Sequence, residues 1–225
     1  MQYALVELFA ANVIFVGLHF AMSHPLRAPI VAVVGDRLFP AIYSLVSIAS
    51  FAWIMMAFRA APAADLAGSG EAGWVAATII MLPAMVLFAG SFAGNPALPH
   101  PGAVKLAKAA PRGVFTVTRH PMMWSFALWA LAHVILFWSV RTMITAIAMA
   151  FLALVGAHMQ DRKKRVLMGD DWVGWQRQTC YWPQLSRLPA VGAKYWLAGA
   201  ALWLAFTWGH IHAAGIPAGI WRWVG

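Results

Sequence analysis

Six apolar stretches of roughly 20 residues each constrain this chain more than any other feature. A helix of that length crosses the hydrocarbon core of a bilayer, which is about 30 Å thick. The sequence therefore predicts an all-α fold, a polytopic membrane helix bundle of about six transmembrane helices, in a single domain over residues 1–225. The predicted spans are about Ala4–Met22, Phe39–Phe58, Trp74–Phe92, Pro121–Trp138, a fifth from beyond Arg141 to His158, and Tyr195–His212.

The composition agrees with a membrane environment. Apolar residues make up 62% of the chain and charged residues only 10%, whereas soluble domains carry about a quarter charged residues. Cys180 is the single cysteine, so no intrachain disulfide is possible. The first apolar stretch lacks a basic region before it and is too long for a signal peptide, so we interpret it as a retained span.

The stretch from Gln160 to Lys194 is different in character. It mixes charged residues with aromatic ones, and no apolar run within it is long enough to cross a bilayer. Tryptophan and tyrosine are enriched where protein meets the membrane surface. We therefore predict an amphipathic segment in the membrane interface, with four aromatic anchors: Trp172, Trp175, Tyr181 and Trp182.

The basic residues predict the orientation. Thirteen of the sixteen Lys and Arg follow spans 1, 3 and 5, and only Arg59, Arg141 and Arg222 lie on the other side. Cytoplasmic loops carry the excess of positive charge, so we expect a multi-pass protein of the inner membrane with both termini in the periplasm. The formal charge of +9 then reflects contact with anionic lipid and argues against nucleic acid as a partner.

Two histidines lie inside predicted spans, where an ionisable group indicates a function. His19 is in the cytoplasmic half of span 1, and His133 is about 18 Å into span 4, on the same helical face as Trp129. Two imidazoles from different helices could bind one haem iron axially. The alternative is that each histidine only forms a hydrogen bond within or between helices.

Other histidines are weaker candidates. His120 follows Arg119 at the start of span 4, where a helix N-terminus and a cation favour an anion, although it could equally be an interfacial anchor. His210 and His212 have no further metal ligands nearby in the sequence, so we predict no metal site there. The sequence has no glycine-rich phosphate loop, paired-cysteine motif or nucleophile elbow.

Three separated blocks of sequence resemble one membrane protein family, the bacterial NnrU proteins and their relative, the 15-cis-zeta-carotene isomerase of plants and cyanobacteria. The first block contains Leu18-His19, Ser23 to Arg27, Gly35 and Tyr43-Ser44-Leu45. The second is R-H-P-M-M-W from Arg119 to Trp124, followed by Trp129 and Leu131-Ala132-His133. The third contains Gly169-Asp170, Trp172, Trp175, Gln178-Thr179 and Pro183.

The resemblance implies a haem b held by two histidines, which fall by position on His19 and His133. We expect Arg27 and Arg119 to pair with the haem propionates, because guanidinium binds carboxylate in a two-pronged geometry, and His120 and Trp129 to contribute to the same site. The family implies a link to denitrification, through nitric oxide or nitrite reduction. A haem-dependent cis–trans isomerase is the alternative, and the expected partners are a lipophilic substrate such as a carotenoid, or a redox partner.

Two other classes stay open. The Arg-His-Pro motif with an acidic and aromatic segment after it also resembles membrane S-adenosylmethionine-dependent methyltransferases. Those enzymes usually have a pair of glutamates late in the chain, and here Asp161 is the acid that would stand in for them. A non-enzymatic assembly subunit would need the histidines only as hydrogen-bonding groups between helices.

Overall fold

The computed structural model describes residues 2–63, 66–99 and 101–224. The described residues form helices and connecting segments without any strand. The all-α prediction is therefore confirmed. The α-helices are α1 (Gln2–Ser23), α2 (Arg27–Ala60), α3 (Gly70–Gly90), α4 (Ala103–Lys108), α5 (Pro121–Leu136), α6 (Val140–Met168), α7 (Asp170–Gln178), α8 (Ala193–Ala214) and α9 (Trp221–Val224). Two 3₁₀ helices, Gly113–Thr116 and Leu185–Val191, lie between them.

The six predicted spans correspond to α1, α2, α3, α5, α6 and α8. Among the described residues, four helices are long and apolar enough to cross a membrane: α1, α2, α3 and α6. Helix α5 is apolar but has only 16 residues, so it is shorter than a typical span of about 20. A multi-pass membrane protein is confirmed.

Proline and glycine set the helix ends much as their chemistry requires. Helix α5 begins at Pro121 as predicted, because proline fits a first turn, where its missing N–H needs no partner. Pro29 likewise lies in the first turn of its helix, since α2 begins at Arg27. The break within α2 is at Gly35, whose φ of 82° is open to glycine and strained for other residues.

The chain divides into two compact units. The first contains the chain up to Gly68 together with Phe137–Leu152, and the second contains Ser69–Leu136 and the chain from Ala153 onwards. Helix α6 contributes its beginning to the first unit and its end to the second. The prediction of a single domain concerns how these units associate, and it stays a prediction.

In the first unit, α1 packs along α2. The Phe15 and Phe51 rings lie 6.0 Å apart, and Trp53 Nε1 donates a hydrogen bond of 3.1 Å to the Glu7 carboxylate. Arg141 at the start of α6 donates to the carbonyl oxygen of Ala61 over 3.1 Å. A cation at this position satisfies a carbonyl just beyond the C-terminal end of α2.

In the second unit, α3 packs against both α5 and α8. Helices α3 and α8 approach closely at Gly199: a Cβ atom there would lie 2.6 Å from the Cα of Val86. Small residues permit such close backbone contact between membrane helices, where packing replaces the hydrophobic effect as the driving force.

The segments between the apolar helices of the second unit form a core of their own. Trp172 is fully buried and Trp175 is 2% exposed, and both pack with Val114, Phe115 and Leu188. The prediction that Trp172 and Trp175 anchor at the membrane interface is therefore wrong. Only Trp182 of the four aromatic residues is largely exposed, at 69%. A helix as short as α7 is not stable by itself. Its two buried tryptophans therefore stabilise it by packing against the neighbouring connecting segments.

Replacing Gly199 by Ala tests the α3–α8 contact. The added methyl group has no room beside the backbone of Val86, so we expect unfolding to become easier by about 1–3 kcal/mol. Thermal denaturation of the detergent-purified protein measures the effect. Gly209→Ala on the same helix is the control, since its added methyl meets nothing within 4 Å and alanine favours the helix by up to about 1 kcal/mol. Equal stability of the two variants would contradict this description of the contact.

Candidate functional site

His19 lies in α1 of the first unit, with its ring held in a defined orientation. Its Nδ1 is 2.8 Å from the carbonyl oxygen of Phe15, one helical turn earlier. The Phe15 and Tyr43 rings lie 4.2 Å and 5.5 Å from the imidazole. A carbonyl oxygen can only accept a hydrogen bond, so Nδ1 carries the proton and the lone pair is on Nε2.

His133 lies in α5 of the second unit and has the same local arrangement. Its Nδ1 donates over 2.8 Å to the carbonyl oxygen of Trp129, and the Trp129 ring lies 4.1 Å from the imidazole. Again Nε2 is the nitrogen with the free lone pair. The two histidines singled out by the sequence therefore share one tautomer and one type of aromatic neighbour.

His210 on α8 is the residue that sequence reasoning set aside. Its ring lies 6.4 Å from that of His133, and its Nδ1 donates over 2.7 Å to the carbonyl oxygen of Phe206. Both residues lie in the C-terminal part of helices that start on the same predicted side of the membrane. The sequence therefore already placed both histidines toward the same predicted side of the membrane. It could not show that α5 and α8 bring them close together.

Arg27 lies in the first unit, at the start of α2. Its Nη2 is 3.6 Å from the Asp36 carboxylate, and its guanidinium lies 5.3 Å from the centre of the Phe39 ring. The side chain remains 43% exposed. This ion pair leaves donor groups of Arg27 accessible.

Arg119 and His120 meet a single acid, Asp161, near the end of α6. Arg119 donates to it from Nε and from Nη2, the latter over 2.7 Å, and His120 Nε2 lies 3.0 Å from Oδ1. Trp172 Nε1 adds a donor at 3.3 Å, and Gln160 Oε1 lies 3.2 Å from the other ring nitrogen of His120. The carboxylate thus joins α5, α6 and α7 within the second unit.

Tyr181 covers this cluster. Its hydroxyl donates over 2.7 Å to the carbonyl oxygen of Leu154, and its ring lies 5.5 Å from His120 and 5.4 Å from the guanidinium of Arg119. Burial raises the pKa of the Tyr181 phenol, and the nearby Asp161 carboxylate adds to this effect. The phenol therefore stays protonated and keeps its hydrogen bond.

The start of α5 was expected to favour an anion, and the anion found there is the carboxylate of a residue of the chain itself. Asp161 occupies the place beside Arg119 and the helix N-terminus, and the His120 side chain is fully buried. The alternative interpretation of His120 as an interfacial anchor is wrong. Sequence reasoning noticed Asp161 as a candidate acid but could not pair it with residues some 40 positions away.

Comparison with protein families connects these residues to a known group. The family model described as NnrU protein matches residues 7–218. The chain belongs to the NnrU family. Comparisons with curated proteins and with solved structures give no significant match.

The match covers every candidate residue of this NnrU protein, from His19 to His210. The resemblance read from the three sequence blocks is therefore confirmed for the NnrU family. The relation to the carotene isomerase stays an expectation.

The residues at the two predicted ligand positions fit a haem iron. An axial histidine is neutral, offers one nitrogen to the metal and usually donates its other N–H to a carbonyl, which fixes the ring. His19 and His133 each meet these conditions. Among the described residues no group of three or more histidines, cysteines or acids could hold a bare metal ion, but a porphyrin supplies four ligands itself and needs only axial ones from the protein.

Replacing Asp161 by Asn tests the role of the cluster in this NnrU protein. The variant keeps the shape but removes the charge that faces Arg119, leaving that guanidinium 12% exposed and unneutralised. Breaking such a pair costs about 3–5 kcal/mol, so we expect a large fall in the thermal denaturation midpoint in detergent.

The matched control is Asp171→Asn. Asp171 lies 3.5 Å from Lys108 in an ion pair that is open to solvent on both sides, and such pairs contribute up to about 1 kcal/mol. An Asp161 variant as stable as the Asp171 variant would show that the cluster does not hold the second unit together.

Proposed function

We propose that this NnrU-family membrane protein binds haem b through His19 and His133 and supports nitric oxide or nitrite reduction in denitrification. The single observation that carries the proposal is the shared arrangement of the two imidazoles. Each lies in an apolar helix, and each donates its Nδ1–H to the carbonyl oxygen one turn earlier.

This arrangement is energetically unfavourable unless Nε2 has a hydrogen-bond donor or a metal ion as its partner. A polar atom without a partner is unfavourable in an apolar environment, and no hydrogen bond to the Nε2 of His19 or of His133 occurs among the described residues. A metal ion can accept this lone pair, and imidazole is a good ligand for iron. The aromatic neighbours support the proposal, because flat rings pack well against a macrocycle.

The propionate groups of the haem need cations at a polar edge. Of the two arginines expected there, Arg27 has the more accessible guanidinium, whereas two donor groups of Arg119 already bind Asp161. We therefore propose Arg27 as the principal propionate partner. The part played by Arg119 and His120 is to hold the start of α5, the helix that carries Trp129 and His133.

A bound haem with two histidine ligands would supply one-electron chemistry. The residues of the chain would orient the two imidazoles and exclude water from the iron. We place the protein in the inner membrane with both termini in the periplasm, on the strength of its basic loops. A redox partner would complete this function, and a lipophilic substrate such as a carotenoid belongs to the isomerase alternative.

The test is the reduced-minus-oxidised absorption spectrum of the protein purified in detergent after expression with ample haem. The wild type should show the sharp α and Soret bands of a low-spin haem b. His19→Ala and His133→Ala each remove one axial nitrogen, so we expect loss of most of the bound haem or conversion to a high-spin spectrum. A colourless wild type would refute the proposal.

His210→Ala is a stringent control, because its ring lies only 6.4 Å from His133. We expect its spectrum to match the wild type. Loss of haem in this variant, together with an unchanged His19 variant, would place both ligands in the second unit and show that His19 is not one of them.

A further inference from the structure

A cavity of about 410 Å³ lies in the second unit, and none of the histidines discussed above lines it. Its walls come from the residues after α3, from α4 and the segment after it, and from α7 and α8. Most of the wall is apolar or aromatic, and the residues that matter for the argument are Leu106, Ala110, Arg112, Phe115, Trp175 and Tyr195. A volume of this size is typical of a site for a small molecule.

Arg112 is the charged side chain of this wall. It is exposed and forms no hydrogen bond or ion pair among the described residues, although it borders an apolar space. A guanidinium donates hydrogen bonds, so the ligand that it lacks is one that carries oxygen acceptors.

The charges around the cavity are mainly positive. Lys105 and Lys108 lie on α4, and Lys194 at the start of α8 lies 4.9 Å from the centre of the Tyr195 ring. Lys108 is partly neutralised by Asp171 at 3.5 Å. This face therefore attracts anions, and the distribution of Lys and Arg assigns it to the cytoplasmic side.

We propose that this cavity binds an anionic glycerophospholipid of the surrounding bilayer. Its phosphate would lie against Arg112, since guanidinium binds phosphate oxygens through paired hydrogen bonds. The glycerol and the first carbons of the acyl chains would contact Leu106, Ala110, Phe115 and the Tyr195 ring.

The combination of walls and charge identifies a lipid as the occupant. A free phosphate ion would gain nothing from apolar walls, and a lipid without a phosphate, such as a diacylglycerol, would gain nothing from Arg112. Basic pockets on the cytoplasmic side of membrane helices select anionic head groups for this reason.

Native mass spectrometry of the delipidated full-length protein tests the proposal. Phosphatidylglycerol and diacylglycerol with identical acyl chains serve as probes, and inorganic phosphate in excess serves as a competitor. We expect the wild type to bind phosphatidylglycerol about fivefold more tightly, the preference that one basic group near the surface gives. Arg112→Gln should abolish this preference, and Ala110→Phe should weaken the binding of phosphatidylglycerol by filling the cavity.

The control is Arg177→Gln on α7. It removes the same charge from an exposed residue of the same predicted side but outside the cavity wall, so the preference should persist. Equal affinity for the two lipids in the wild type, or an unchanged preference in Arg112→Gln, would overturn the proposal. Displacement of phosphatidylglycerol by inorganic phosphate would overturn the lipid assignment in favour of a soluble anion.

Discussion

A bilayer offers no water to its proteins, and most of this structure follows from that constraint. Every backbone amide in the hydrocarbon core must find its partner inside the protein, which leaves helices as the form that a single segment can take. Polar side chains in the helices also find their hydrogen-bond partners within the protein. Asn12, His19, Ser50, His133 and Thr207 each donate to the carbonyl oxygen one turn earlier on their own helix.

For the histidines this solution has a chemical consequence. Once Nδ1–H is bound to a carbonyl, the lone pair of the ring is on Nε2 and points away from the helix backbone. The helix itself therefore selects the tautomer that a metal ion needs. No second residue is required to orient the imidazole, and His210 has the same bond to its own helix.

Charged groups required a different solution. Asp161 is 6% exposed and accepts hydrogen bonds from Arg119, His120 and Trp172. An acid buried to this extent is stable only with several donors and at least one cation around it. Those donors come from the start of α5 and from α7, so the carboxylate fixes the connecting segments against the end of α6 as well as neutralising the Arg-His pair.

Sequence alone determined the features that depend on near neighbours in the chain. The apolar stretches gave the helices, Pro121 gave the start of α5, and the positions of His19 and His133 within apolar runs gave the candidate ligands. Tertiary structure decided what depends on residues far apart. Three features depend on which helices pack side by side: the burial of Trp172 and Trp175, the hydrogen bond between His120 and Asp161, and the approach of His210 to His133. Helical periodicity fixes the face on which a side chain lies, but not the helix that meets it, because many pairings of similar apolar surfaces have similar energy in a membrane.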